Sequence, residues 1–303
     1  MNIKSMFVIV FVALVIQGIP SCTTCSRTNA DFIIPDSIRT EGELRVSDNV
    51  MQEMVGNISS PIEMASLMIT LKVPFSQKYL ATTKNISRFN TAHAKAFNLG
   101  VFGTDLGYLN MYGKTSLVLD YITAMKNLAD GINVGQFFDF STLKRLATNS
   151  QDIDSLVYIS QQSFNKMDKY LQKSNRGNLS TLMVAGVWVE GLYLSAQFLK
   201  ERPGEQRLAE SIGEQKIILD QLMIILKNYQ REQYIADLIT DLYSIKAIYD
   251  GIKITIEVGE PKAVEVDGML TIVQTETSTV HYTDEQMKEL INQAEIVRNK
   301  LIK

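Results

Sequence analysis

The chain is short of the residues that build the commonest metal and redox centres. Two cysteines and two histidines in 303 residues argue against a zinc site made of Cys and His. Carboxylate-only sites stay open. Glycine (17) and proline (6) are too sparse for a fibrous or low-complexity chain. Positive charge is not in excess. There are 30 Lys and Arg against 33 Asp and Glu, a net charge of −3, whereas a nucleic-acid binder would show a basic stripe. No Gly-x-Ser-x-Gly, His-Glu-x-x-His or Gly-x-Gly-x-x-Gly occurs, so the spellings of a hydrolase elbow, a zincin helix and a dinucleotide loop are missing. Ser141-x-x-Lys144 and Ser163-x-x-Lys166 match a penicillin-recognising nucleophile spelling but lack its companion motifs. In Gly113-Lys114-Thr115 the glycine that a phosphate loop needs five residues earlier is Tyr108. What is present is ordinary globular composition, 46% hydrophobic and 21% charged, enough for one large core or two smaller ones.

Lys4 heads an uninterrupted apolar run at residues 6–16 (MFVIVFVALVI), and residues 17–21 relax into small and turn-forming types before Cys22. A helix of that length, at about 1.5 Å per residue, cannot cross a hydrocarbon core of roughly 30 Å. This is signal-peptide layout, so residues 1–21 are expected to be a leader outside the fold. Ile19-Pro20-Ser21-Cys22 resembles the lipobox of bacterial lipoproteins. The resemblance implies that Cys22 is acylated and holds the chain to a membrane. Each buried methylene is worth about 0.8 kcal/mol, and stable anchoring takes more than one acyl chain, which a diacylglycerol supplies. Thr23, rather than Asp, follows the cysteine; in a Gram-negative host the lipobox rule then implies the outer membrane, facing the periplasm. Two other readings of Cys22-x-x-Cys25 stand beside this one. One is a plain secreted disulfide or free thiols. The other is a redox pair, which needs a strand-to-helix setting that the polar surroundings do not offer. Residues 22–46 read as a lipidated Cys and a polar tether, and residues 47–303 as the folded body.

The body reads as mostly α. Ser60-Pro61-Ile62-Glu63 is a capping-box signature. Helical patterns follow at residues 90–112, 114–130, 152–172, 180–201, 205–229 and 234–249, with Gly131 and Pro203-Gly204 as stops. The second half of the 205–229 segment is apolar nearly all round, which predicts a central position. From Ile252 the period changes to two, and Asp267-Gly268 between alternating runs predicts a β-hairpin at about 252–275. Thr283-Asp284-Glu285-Gln286 opens a final helix. The expected fold is a multi-helix bundle with a small C-terminal hairpin and a last helix.

Residues 99–112 (LGVFGTDLGYLNMY) and 184–198 (VAGVWVEGLYLSAQF) echo each other. An offset of 85 residues places Asp105 on Glu190 and Tyr108 on Tyr193. Duplication of a helical hairpin and chance both account for so short a match; duplication predicts two hairpins related by an approximate two-fold axis. Gly100, Gly103 and Gly107, with Ala96, form a small-residue groove that lets another helix approach. Each helical glycine costs about 1 kcal/mol relative to alanine, so close packing must offset them. Asp105, Tyr108 and Tyr112 share one stripe at i, i+3 and i+7, and Glu190, Tyr193 and Gln197 repeat that spacing. The functional reading is a pocket between helices lined by Asp105, Tyr108, Glu190, Tyr193 and Glu214, with Lys216 as counter-charge. The structural reading is a hydrogen-bond network inside the core, with tyrosine hydroxyls satisfying the acids. No catalytic residue, metal ligand or cofactor is assigned; a di-iron site would need Glu-x-x-His pairs, which are missing. His93 reads as structural and His281 as exposed.

Gly103-Thr104-Asp105-Leu106-Gly107-Tyr108 and Ile212-Gly213-Glu214-Gln215-Lys216, together with the leader, Cys22, the tether and the helical body, resemble uncharacterised lipoproteins of Bacteroides-like Gram-negative bacteria. The resemblance implies no established activity. The expected function is a lipid-anchored, non-enzymatic binding or scaffolding module of the cell envelope, with a small ligand or an envelope protein as partner and no nucleic acid. The alternative is an envelope hydrolase or metal-dependent enzyme working through carboxylates between helices. A third class, a soluble periplasmic chaperone-like protein, requires that Cys22 carry no lipid.

Overall fold

A computed structural model describes residues 70–71, 73–84, 86–147, 153–259, 262–266, 269–273 and 276–303. All of them belong to one of the two units into which the chain divides, Leu44–Lys303. The leader, Cys22, the tether and the capping box at Ser60 lie outside the described residues. Among those residues there are eight α-helices: α1 (Ala92–Met111), α2 (Thr115–Asp130), α3 (Phe140–Ala147), α4 (Ile153–Lys173), α5 (Gly177–Glu201), α6 (Gln206–Lys227), α7 (Gln233–Asp250) and α8 (Asp284–Leu301). Strands β1 (Lys253–Val258), β2 (Lys262–Val266), β3 (Met269–Val273) and β4 (Glu276–His281) lie between α7 and α8. The mostly helical bundle, its C-terminal hairpin and the last helix are as expected.

Two helices form the centre. α1 and α5 bury residues on every face, the pattern of a helix surrounded by others. α5 is long and apolar enough to cross a membrane, yet 83% of that stretch is buried inside the fold, which makes it a core helix. The two pack backbone to backbone. Gly100 lies against the Met183 carbonyl and the Val187 amide, and Gly186 against the Phe97 carbonyl and the Val101 amide. A Cβ at Gly100 would stand 2.0 Å from the Met183 oxygen, and one at Gly186 would stand 2.0 Å from the Phe97 oxygen. Thr104 adds a hydroxyl bond to the Val187 carbonyl at 3.4 Å. Residue numbers climb together along the contact, so the helices run in the same direction. Facing residues differ by close to the 85-residue offset of the sequence echo.

Three details depart from the sequence reading. The glycine stripe is not one groove: Gly103 meets the Phe164 ring of α4, and Gly107 meets nothing within 4 Å. α6 is not central, because Ile217 and Ile224 are 40% and 46% exposed. Its aliphatic run is simply wider than the face that α5 and α7 cover. Last, the β region extends past residue 275. β2 and β3 pair across Asp267-Gly268 as expected, but β1 pairs antiparallel with β4, from Lys253↔His281 to Val258↔Glu276. With Val280 as its one strongly apolar residue, β4 carries little alternating signal. α8 opens as expected, with the Thr283 hydroxyl accepting from the Gln286 amide and the Gln286 side chain accepting from the Thr283 amide.

Candidate functional site

A strap, residues 73–84, precedes α1 and crosses the central helices. It has only short 3-10 structure, at Gln77–Tyr79, so helix side chains satisfy its backbone. The Ser76 amide donates to the Tyr108 hydroxyl at 2.8 Å, and the Tyr112 hydroxyl donates to the Val73 carbonyl at 2.7 Å. The Ala81 amide donates to Asp105 Oδ2 at 2.9 Å, and the Tyr121 hydroxyl donates to the Ala81 carbonyl at 2.6 Å. Arg298 Nη2 donates to the Tyr79 carbonyl at 3.1 Å, while the Tyr79 hydroxyl donates to Glu201 at 2.6 Å. Rings complete the seam: Phe75 stacks on Tyr108 with centroids 5.3 Å apart, and Tyr79 meets Phe198 edge-on at 5.8 Å.

Beneath the strap the echoed acids face each other. Asp105 and Glu190 are both fully buried. Arg298, in the last turn of α8, forks onto Glu190, with Nε to Oε2 at 2.8 Å and Nη2 to Oε1 at 2.6 Å. Its guanidinium lies 4.2 Å from the centre of the Tyr193 ring. Burial opposes the charge on Arg298, but the Glu190 charge and hydrogen bonds outweigh it and push its pKa up. Asp105 has no such partner. Burial, then the Glu190 charge, pushes Asp105 well above the usual carboxylate range, against the pull of Arg298 and the Ala81 amide. Two ionised acids against one guanidinium would leave a net charge in a fully buried site, which is very costly. Asp105 Oδ1 is buried with no hydrogen-bond partner. A proton on Asp105 would make the cluster neutral and give its carboxyl a donor to offer the neighbouring Glu190. Burial also pushes the Tyr108, Tyr112 and Tyr121 phenols up, keeping them neutral.

Of the six residues expected to share a pocket, four are brought together: Asp105, Tyr108, Glu190 and Tyr193. Glu214 and Lys216 are not part of this cluster. Glu214 accepts from the Ser278 hydroxyl of β4, and Lys216 donates to the Ile252 carbonyl at 2.6 Å. They fasten the strands to α6, because α6 turns that face toward β4, where Gly213 meets Val280. Arg298 was not legible as a site residue. Its signal is position: it continues the stripe Met287, Leu290, Ile291, Ala294 and Val297 that α8 buries, and a charge on a core stripe calls for a buried partner.

The other candidates have structural settings. His93 Nε2 lies 2.5 Å from Glu232, and Asn178 Nδ2 donates to both oxygens of the same carboxylate, at 2.9 and 3.0 Å. His93 and Asn178 also differ by 85, so the echo register holds at the N-terminal turns of α1 and α5, where a carboxylate is favourable. His281 is exposed and bonds Thr255 at 3.0 Å. Ser163 is buried and donates back to the Ile159 carbonyl at 2.8 Å. Among the described residues no three of His, Cys, Asp and Glu come together to hold a metal ion. No family model, curated protein or solved structure gives a significant match to the chain.

Proposed function

We propose that the chain is a lipid-anchored protein of the cell envelope, held through Cys22 at the outer membrane and facing the periplasm, and that its body works as a non-enzymatic binding or scaffolding module. The observation that carries the non-enzymatic part is the internal use of the acids. Glu190 is spent on Arg298, and Asp105 on Ala81 and Glu190, beneath a strap that covers them. A general acid or nucleophile must reach its substrate, and these groups reach only their own fold. The anchor rests on the sequence from Ile19 to Cys22 and on the polar stretch after it.

The test is the mass of the mature chain with detergent partitioning. The expected result is an acylated N-terminal Cys22 and recovery in the detergent phase, with Cys22→Ser moving the protein to the aqueous phase. An unacylated mature chain would end the anchor claim. Hydrolytic turnover that Asp105→Asn abolishes without loss of fold would replace the scaffold with the carboxylate enzyme.

A further inference from the structure

We propose that the strap is a proton-locked clasp: one proton shared between Asp105 and Glu190 holds residues 73–84 onto α1 and α5, and its loss releases the strap while the helices stay folded. The geometry divides into two sets of bonds. The bundle is held by helix packing that does not involve the strap, above all the glycine contacts of α1 with α5. The strap is held by side chains that converge on its backbone, and its middle is held by the acid–arginine cluster.

The groups that face Asp105 are Tyr108 on its own helix, Tyr121 from α2, Glu190 and Tyr193 from α5, and Arg298 from α8. The tyrosines are neutral hydroxyls, so among the described residues the only compensating cation is Arg298, already forked onto Glu190. When Asp105 gives its proton to solvent, no second cation takes its place. The ionised carboxylate must reach water, and among the described residues around it the strap is the wall with only short 3-10 structure, fastened through side chains to its backbone. Lifting it breaks the Ala81, Tyr79 and Ser76 bonds together. It also uncovers the Tyr108, Tyr112 and Phe198 rings that Phe75 and Tyr79 now cover.

The sign follows from linkage. The closed strap binds a proton that the open strap does not. Between the ordinary carboxylate value, about 4, and the raised value of the closed state, opening becomes up to about tenfold more favourable per pH unit. Amide hydrogen exchange of the full chain from pH 5 to 8, corrected for intrinsic rates, reads this directly. Protection at Ser76 and Ala81 is expected to fall by up to about tenfold per pH unit, while α5 amides hold. Asp105→Asn, which carries a permanent donor toward Glu190, is expected to remove the slope. Tyr121→Phe, which loses one strap bond and leaves the acids alone, should lower strap protection at every pH and keep the slope. Two results would overturn the clasp: strap and α5 amides losing protection in parallel, or a strap slope unchanged in Asp105→Asn. If Asp105→Asn does not fold, the wild type and Tyr121→Phe still decide, because a flat strap profile in both would also overturn it.

Discussion

Replacing Arg298 with Met keeps an unbranched apolar stem and removes the guanidinium and its charge. In the native fold Arg298 is 5% exposed and its partner Glu190 is fully buried. Breaking a buried pair from one side costs about 3–5 kcal/mol. At about 2–4 °C per kcal/mol for a body of this size, the melting temperature should fall by roughly 10 °C. Urea and thermal unfolding followed by far-ultraviolet circular dichroism at pH 7 measure this. A loss below about 1 kcal/mol at pH 7 would mean that the cluster is hydrated, and the reasoning would fail.

Asp105 carries its own stability signature. Its native pKa is raised, chiefly by burial, so its contribution is full below the unfolded value of about 4 and is lost as pH rises through the native value. Relative to Asp105→Asn, the wild type should lose about 1.4 kcal/mol per pH unit in that window; parallel unfolding curves for the two proteins would contradict it. The glycines of α1 should split in sign. Gly107→Ala, with nothing within 4 Å of the new methyl, should gain about 1 kcal/mol from helix propensity. Gly100→Ala, which drives a Cβ onto the Met183 carbonyl, should lose more than that and loosen α1 from α5. Equal effects at both positions would remove the close crossing from the account.

The helices, the late hairpin and the last capping box were legible because each rests on local chemistry: a periodicity, a two-residue turn, a Thr and a Gln three apart. The pairing of Asp105 with Glu190 was legible for a different reason. The echo set them at equal places in two helices, and parallel packing at the same offset keeps equal places side by side. Glu214 looked similar by type and helical spacing, but which way a helix turns its face is decided by neighbours, here β4. Arg298 and the strap were hidden because their roles exist only across long separations. Ala81 reaches Asp105, and Tyr79 reaches Arg298, through contacts that no sequence window contains. The breadth of the α6 run misled for the same reason, since only the packed structure shows that Ile217 and Ile224 face outward.

The protonation of Asp105 can be seen directly. An infrared difference spectrum of the wild type against Asp105→Asn at neutral pH should contain the carbonyl stretch of a buried, protonated carboxylic acid, shifted on deuteration and absent from the variant. A difference spectrum holding only the bands of an ionised carboxylate would show two charged acids beside one arginine, and the neutral cluster under the strap would be disproved.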